Sequence, residues 1–362
     1  MNIIRIGKNR KGAVVAGQSD KSQIFTKDAG PLLIIQPLVG IGDMIWHKPW
    51  IDELIAQNNV ILATKQSAQP QILFADRLSK MTILPIMRKI RGKKGRHDGL
   101  IGLFRLAQDF KRTGAKRALV LHHSKTYLYA LKLAGITQVS AFGFDDDKGL
   151  SSRVLDRADK EIHAIERMEK FWRINDWPAP KAGWRIGVSD AHCQAVRHAL
   201  AQDGIMVDNL LVLGIGAMDV QRCWPNDRFA ELIIELRQER PDLTLAIMGG
   251  PAERGAAEQI QTYLGEHNGD KVYEIFGTLD DAAAILTIAK GYVGNDTSLL
   301  NIAAVQGIAS LGLFSQSSPL TYVSTLFHLD VIKEEEYGTP DIIKKIVVDD
   351  VLAGITAIWP KD

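Results

Sequence analysis

Val293-Gly294-Asn295-Asp296-Thr297-Ser298-Leu299-Leu300-Asn301-Ile302-Ala303-Ala304 joins the end of an apolar, buried-type strand to a helix through a polar turn. Such a turn leaves backbone N–H groups at the helix N-terminus without intrahelical partners, and the aligned peptide dipoles favour negative charge there. It is suited to seat a phosphate. Upstream, Leu243-Thr244-Leu245-Ala246-Ile247-Met248-Gly249-Gly250-Pro251-Ala252-Glu253 has the same form, with two glycines that let a ligand approach the backbone and an acid at the helix start. Together the two turns predict a nucleotide held by the C-terminal half. Leu210-Leu211-Val212-Leu213-Gly214-Ile215-Gly216 begins this βα series, which runs to about residue 314. A last helix over about 348–357, with Asp349 or Asp350 at its start, closes the chain.

The N-terminal half repeats the pattern. Pro31-Leu32-Leu33-Ile34-Ile35-Gln36-Pro37 reads as a buried parallel strand, followed by the turn Gly40-Ile41-Gly42-Asp43 and a helix over about 44–56. A strand over 59–64, a helix near 75–79, a basic loop, a helix over about 100–112, a strand over 117–123 and a helix around 127–133 follow. Residues 145–160 turn charged and rich in Gly, Ser and Asp, an amphipathic helix covers about 163–174, and the prolines and glycine of 177–183 mark a linker. Strands alternating with helices predict parallel sheets covered on both faces. The expected architecture is α/β, with two Rossmann-like, doubly wound domains facing across a cleft where the carboxyl ends of both sheets meet. The expected divisions are a first Rossmann-like domain over 1–180, a second, nucleotide-binding Rossmann-like domain over 181–345, and a C-terminal helix within 346–362 packing back on the first domain.

With 362 residues, 46% of them hydrophobic, two domains of ordinary size are expected. A net charge of +2 is too mild for wholesale nucleic-acid binding, so nucleic acid is not an expected partner. Cys193 and Cys223 are the only cysteines and lack zinc-type spacing, which favours a reducing cytoplasm. Residues 1–30 lack the apolar core of a signal peptide, and no segment reaches the roughly 20 apolar residues of a membrane helix. The protein is expected to be soluble, at most leaning on a membrane surface.

Several residues offer chemistry, each against a plainer role. Asp43 is delivered by a glycine turn to the mouth of the cleft, where it is either a base or simply a helix cap worth about 1 kcal/mol. His47, one turn on, lies on the same helical face and could tune that acid. After Gly214-Ile215-Gly216-Ala217 comes Gln221-Arg222-Cys223-Trp224-Pro225, whose guanidinium fork suits two phosphate oxygens, or is a surface Arg beside a packed Trp224. Thr297 and Ser298 would bind phosphate through N–H and hydroxyl groups, while Asp296 would accept ribose or sugar hydroxyls; the plainer alternative is an ordinary capped helix. Glu253 could take ribose hydroxyls, although acids favour first turns anyway. His122 and His123 leave the N-terminal sheet where they could line the cleft, and with no carboxylate or Cys pattern beside them a metal is not expected. Arg88-Lys89-Ile90-Arg91-Gly92-Lys93-Lys94-Gly95-Arg96 is either a solvated loop or an attractor for an anionic acceptor or acidic lipid headgroups.

On these residues the chain resembles the heptosyltransferases, glycosyltransferase family 9, with a GT-B fold. The resemblance is carried by Leu38-Val39-Gly40-Ile41-Gly42-Asp43, Arg222-Cys223-Trp224-Pro225 with Arg228-Phe229-Ala230-Glu231-Leu232, Met248-Gly249-Gly250-Pro251-Ala252-Glu253, Gly294-Asn295-Asp296-Thr297 with Ala303-Ala304, Phe314-Ser315-Gln316-Ser317-Ser318-Pro319, and the closing Val348-Asp349-Asp350-Val351-Leu352-Ala353-Gly354-Ile355. It spans nearly everything from Leu32 onward. It implies metal-independent, inverting transfer of a heptose from an ADP-sugar to the inner core of lipopolysaccharide, with no cofactor. Asp43 matches the catalytic base, Arg222 the group that neutralises the diphosphate, Asp296 and Thr297 the donor-binding acid and phosphate contact, and Glu253 the ribose-binding acid. Gly216, Gly249, Ser298 and Asn301 fall on the donor side. Gly42, Arg88, Arg91, Lys93, Lys94, His122 and His123 fall on the acceptor side, facing an anionic glycan or glycolipid, with peripheral contact at the cytoplasmic face of the inner membrane. The family usually has Gly and His where this chain has Ser298 and Asn301, and Gly-Pro where it has Ser315-Gln316; Asn can donate a hydrogen bond but carries no charge. A GT-B sugar-nucleotide epimerase or an inactive nucleotide-sugar-binding homologue are the alternatives, and an NAD-linked dehydrogenase is disfavoured because neither strand exit has the full glycine fingerprint.

Overall fold

The computed structural model describes residues 24–25, 30–90, 92–143, 149–267 and 270–360. Its first lobe is built from β1 (Leu32–Gln36), α1 (Ile41–Gln57), β2 (Val60–Thr64), α2 (Pro70–Leu73), β3 (Met81–Pro85), α3 (Gly99–Arg112), β4 (Arg117–Val120), α4 (Lys125–Ala134) and β5 (Gln138–Ala141). The sheet is parallel, in the order β3-β2-β1-β4-β5. Central β1 shows why an unbroken apolar run reads as a parallel strand: Leu32 and Ile34 enter one buried cluster while Leu33 and Ile35 enter another on the opposite face. The predicted helix near 75–79 is only a single turn over Ala75–Arg77, and the chain then forms β3, a strand that the apolar pattern did not announce. β3 and β5 are the sheet edges. β3 is only partly buried and broken by Thr82, and β5 is buried at three of four positions but has only Val139 and Ala141 apolar, so neither shows the continuous apolar run of a central strand.

α5 (Ala164–Ile174) and α6 (Asp190–Gln202) connect to the second lobe, of β6 (Leu210–Gly214), α7 (Asn226–Glu239), β7 (Thr244–Met248), α8 (Arg254–Glu266), β8 (Tyr273–Ile275), α9 (Leu279–Ile288), β9 (Gly291–Asn295), α10 (Ser298–Gln306), β10 (Ala309–Leu313), β11 (Leu326–His328) and α11 (Val348–Ile358). This sheet is also parallel, in the order β11-β10-β9-β6-β7-β8. α6, absent from the sequence reading, starts at a Ser189 cap and packs on α9. The final helix corrects an expectation. α11 packs on α7 and β10 of the second lobe, where the Trp359 ring fills the space left by Gly291 and the Trp359 carbonyl accepts from Arg240.

The segment over 177–183 holds to the first lobe: Trp177 packs edge-on against Trp172 and Phe171, and the Lys181 N–H donates to Glu53 Oε2 at 3.0 Å. Beyond it the lobes touch. The Ile186 N–H donates to Gln306 Oε1 at 3.0 Å, α1 packs on α10, and one continuous apolar cluster runs from Trp50 and Leu54 through Ile186 to Ala283, Ile302 and Ala303. Among the described residues, no helix is long and apolar enough to cross a membrane.

Candidate active site

The carboxyl edge of the first sheet presents Asp43. Gly40 precedes α1 in an extended conformation and its N–H donates to Asp43 Oδ2 at 3.2 Å, so the acid caps its own helix. A Cβ on Gly40 would lie 2.6 Å from that oxygen, which explains the glycine. A Cβ on Gly42 would lie 3.7 Å from Asn301 Nδ2, which places the first turn of α1 against the first turn of α10 in the other lobe. Asp43 is therefore both a cap and a residue of the interlobe gap. Burial pushes its carboxyl above the usual aspartate value, opposed by the Gly40 N–H and by the positive charge of Arg167.

His47 does not act on that carboxylate as its helical position suggested. Its Nδ1 lies 2.7 Å from the Asp43 backbone carbonyl, to which it donates, and burial lowers its pKa to about 4, which keeps the ring neutral. The charge that reaches Asp43 comes instead from Arg167 on α5, a residue that sequence reasoning missed. Arg167 donates from Nε to the Asp159 carbonyl (3.1 Å) and from Nη2 to the carbonyls of Lys160 (2.8 Å) and Ile162 (2.8 Å), fixing the loop before α5. Its field also bears on His122, His123 and His163. The His163 ring in turn packs edge-on to Trp46 of α1 at 4.5 Å between centroids. An arginine on an amphipathic helix carries no local motif, so only the fold reveals this partner.

His122 and His123 stack nearly parallel, 4.6 Å between centroids, and His122 Nδ1 accepts the Ser124 N–H at 3.0 Å. Burial first, then His123, Arg167, Arg88 and Lys65, hold the pKa of His122 down to about 4. The Arg88 guanidinium lies over Tyr127 at 5.6 Å and 3.6 Å from Asp98 Oδ1. This corner of the first lobe thus gathers Arg88, Lys65 and Arg167 around a neutral imidazole, an arrangement that attracts anions. Lys93 and Lys94 are exposed on the loop before α3, and Arg91 lies outside the described residues.

Across the gap, buried Asn295 braces two loops. Its Oδ1 accepts the Trp224 N–H at 2.9 Å, and its Nδ2 donates to the carbonyls of Ile215 (3.0 Å) and Gly216 (3.3 Å). That brace sets Arg222 beside Asp296, with Nη1 to Oδ2 at 3.1 Å. Burial raises the Asp296 pKa and Arg222 lowers it; the pair offsets the repulsion a lone carboxylate would exert on a diphosphate. Trp224 is not merely packed beside Arg222: its indole N–H donates to the Ile346 carbonyl at 2.9 Å and anchors the loop. Thr297 occupies the N-cap position of α10 without a side-chain capping bond, so the first-turn N–H groups at Ser298 and beyond are not claimed by it.

Two donor-side expectations change in detail. The space that Gly216 and Gly249 leave is filled by Glu253: Cβ atoms there would lie 2.7 Å from its Cγ and 2.8 Å from its Cβ. Glu253 Oε2 accepts the Gly250 N–H at 2.7 Å, so these glycines make room for an acid rather than for a ligand against the backbone. Asn301 is drawn into the lobe contact. Its Oδ1 accepts from Trp46 Nε1 (3.1 Å) and the Tyr322 hydroxyl (2.5 Å), and its Nδ2 donates to the Thr297 carbonyl (2.9 Å).

The gap therefore has a desolvated carboxylate on one wall and, on the other, a guanidinium, an acid and an open helix N-terminus. Residues 104–341 match the model of glycosyltransferase family 9 (heptosyltransferase). Among solved structures, the chain is similar to a glycosyl transferase family 9 protein from Veillonella parvula, at 18% identity and a TM-score of 0.69 over 91% of this chain and 97% of that one. It is similar to ADP-heptose lipopolysaccharide heptosyltransferase II from E. coli, at 19% identity and 0.65 over 91% and 98%. The E. coli heptosyltransferase WaaC with ADP-2-deoxy-2-fluoro heptose gives 16% and 0.60 over 90% and 99%. These likenesses show the GT-B fold. No curated protein sequence matches the chain.

Proposed function

Because the chain belongs to glycosyltransferase family 9, we propose that it transfers a heptose from ADP-heptose, with inversion and without a metal ion, onto a lipopolysaccharide core or related anionic glycan at the cytoplasmic face of the inner membrane. The observation that carries this reading is the opposition of Asp43 on α1 to the Arg222–Asp296 pair and the α10 N-terminus. Asp43 removes the proton from the acceptor hydroxyl as that oxygen bonds to the anomeric carbon, and the bond from that carbon to the diphosphate oxygen breaks on the opposite face. A carboxylate made more basic by burial suits the first task. Negative charge grows on the departing diphosphate. Arg222 and the N–H groups at Thr297 and Ser298 meet it, and such preorganised donors stabilise the transition state more than the ground state. Glu253 and Asp296 accept hydroxyls of the ribose and sugar, while Arg88, Lys93, Lys94 and the His122–His123 corner receive the anionic acceptor.

The test is ADP release from ADP-heptose with a heptose-deficient core oligosaccharide as acceptor. Release should require the acceptor and should fall about 10²–10⁴-fold in Asp43→Asn, the usual contribution of a positioned base. Sugar-nucleotide turnover without acceptor would point to an epimerase instead, and full activity in Asp43→Asn would overturn the mechanism.

A further inference from the structure

The first two turns of α3 expose a contiguous apolar face. Leu100, Ile101 and Phe104 are 79%, 71% and 58% exposed, while Leu106, Ala107 and Phe110 of the same helix are buried in the lobe. At helical spacing the three exposed residues share an arc of roughly 100° on the side away from the core. Single exposed apolar residues are ordinary, but three large ones side by side on a helix mark a contact surface.

The charges around this ridge are one-signed. Lys93, Lys94, Arg105 and Lys111 are exposed. The nearby acids are already engaged: Asp98 accepts the Gly95 N–H at 2.8 Å and faces Arg88, and Asp109 lies 3.0 Å from both Arg112 Nη1 and His97 Nε2 and also pairs with Arg96. A second copy of this chain meeting the ridge about a two-fold axis would set these cations against each other. An anionic lipid surface complements both features, since acyl chains accept the apolar side chains and headgroups the cations. The position fits as well. β3 ends at the carboxyl edge of the first sheet, and the loop over 86–98 folds back on itself where the His97 N–H donates to the Met87 carbonyl at 2.8 Å, so α3 starts at the edge that presents Asp43 and His122.

We propose that Leu100, Ile101 and Phe104 insert into an anionic bilayer while Lys93, Lys94, Arg105 and Lys111 contact its headgroups, docking the first lobe on the membrane that carries a lipid-linked acceptor. The identity of that acceptor rests on the function proposed above; the docking surface itself rests on α3. The test is sedimentation of the full chain with vesicles of phosphatidylcholine alone or mixed with phosphatidylglycerol. The chain should sediment with the mixed vesicles, and added salt should weaken that binding. The triple variant Leu100→Gln, Ile101→Gln, Phe104→Gln, which keeps good helix formers, should lose at least about tenfold in partitioning. Arg105→Gln with Lys111→Gln should lose about tenfold on mixed vesicles and blunt the salt dependence. Both variants should keep the helical circular dichroism and the thermal stabilisation by ADP-heptose of the unaltered chain. If ADP-heptose stabilises none of the three, the proposed function fails while the vesicle result stands separately. Equal sedimentation of the triple variant, or a dimer of the unaltered chain that this variant abolishes in the absence of vesicle binding, would overturn the proposal.

Discussion

Asp43 and Arg167 sit 124 positions apart in the chain, yet the protonation of one depends on the charge of the other. A base must be ionised to act, so activity should decline as pH falls through the Asp43 pKa. Arg167→Gln removes the charge that holds this pKa down, and the acid limb of kcat/KM should move to higher pH. Arg167→Lys, which keeps the charge, should leave the limb nearly in place; a pH profile of the two variants decides it. The neutral histidines give a stability prediction. His47 and His122 fall from 6.5 in the unfolded chain to about 4 when folded, so below 6.5 the unfolded state binds more protons. Melting temperature should therefore drop as pH is lowered from about 6.5 to 4, and His47→Gln should flatten that slope. Asp43, Arg222 and Asp296 were legible because each sits beside a glycine turn or a helix start, where local chain geometry already limits what a side chain can reach. Arg167 was not, because long-range packing alone selects it, and the face shared by His47 and Asp43 misled because the imidazole bonds the backbone of its neighbour.

At the scale of elements, central strands were readable and edges were not. β1 and β6 are buried on both faces and show apolar runs broken only at their last residue, and β9, equally buried, announces itself by the polar turn that follows it. By contrast, β3 is interrupted by Thr82 and only partly buried, β5 has only Val139 and Ala141 apolar, and α6 mixes exposed and buried positions. The glycines of the strand ends divide by what surrounds them. A Cβ on Gly294 would meet the Gly214 carbonyl oxygen at 2.5 Å, a backbone atom that cannot swing away. Gly294→Ala should cost about 1–3 kcal/mol, the range for overpacking, read by urea unfolding. A Cβ on Gly216 first meets the Glu253 side chain, whose Cγ would lie 2.7 Å away. Gly216→Ala should leave stability within about 1 kcal/mol but raise the donor KM, since the displaced acid loses its place beside the loop.

For the whole molecule, the contact between lobes is the feature that short motifs could not disclose. Asn301 stands where a donor contact was expected, and it joins Trp46 of one lobe to Tyr322 of the other. Tyr322→Phe should remove one of these bonds, at about 0.5–1.5 kcal/mol, and raise the donor KM more than it lowers kcat; steady-state kinetics beside a thermal melt would separate the two effects. The apolar cluster that threads both lobes has a wider consequence. Neither half presents a finished exterior of its own, so heating should melt the two together in a single endotherm, and a half-length polypeptide would be prone to aggregate. Chimaeras that splice a foreign donor half after residue 183 would need the buried faces of α9 and α10 redesigned along with the catalytic loops, because recognition between the halves is written in the same helices that frame the chemistry.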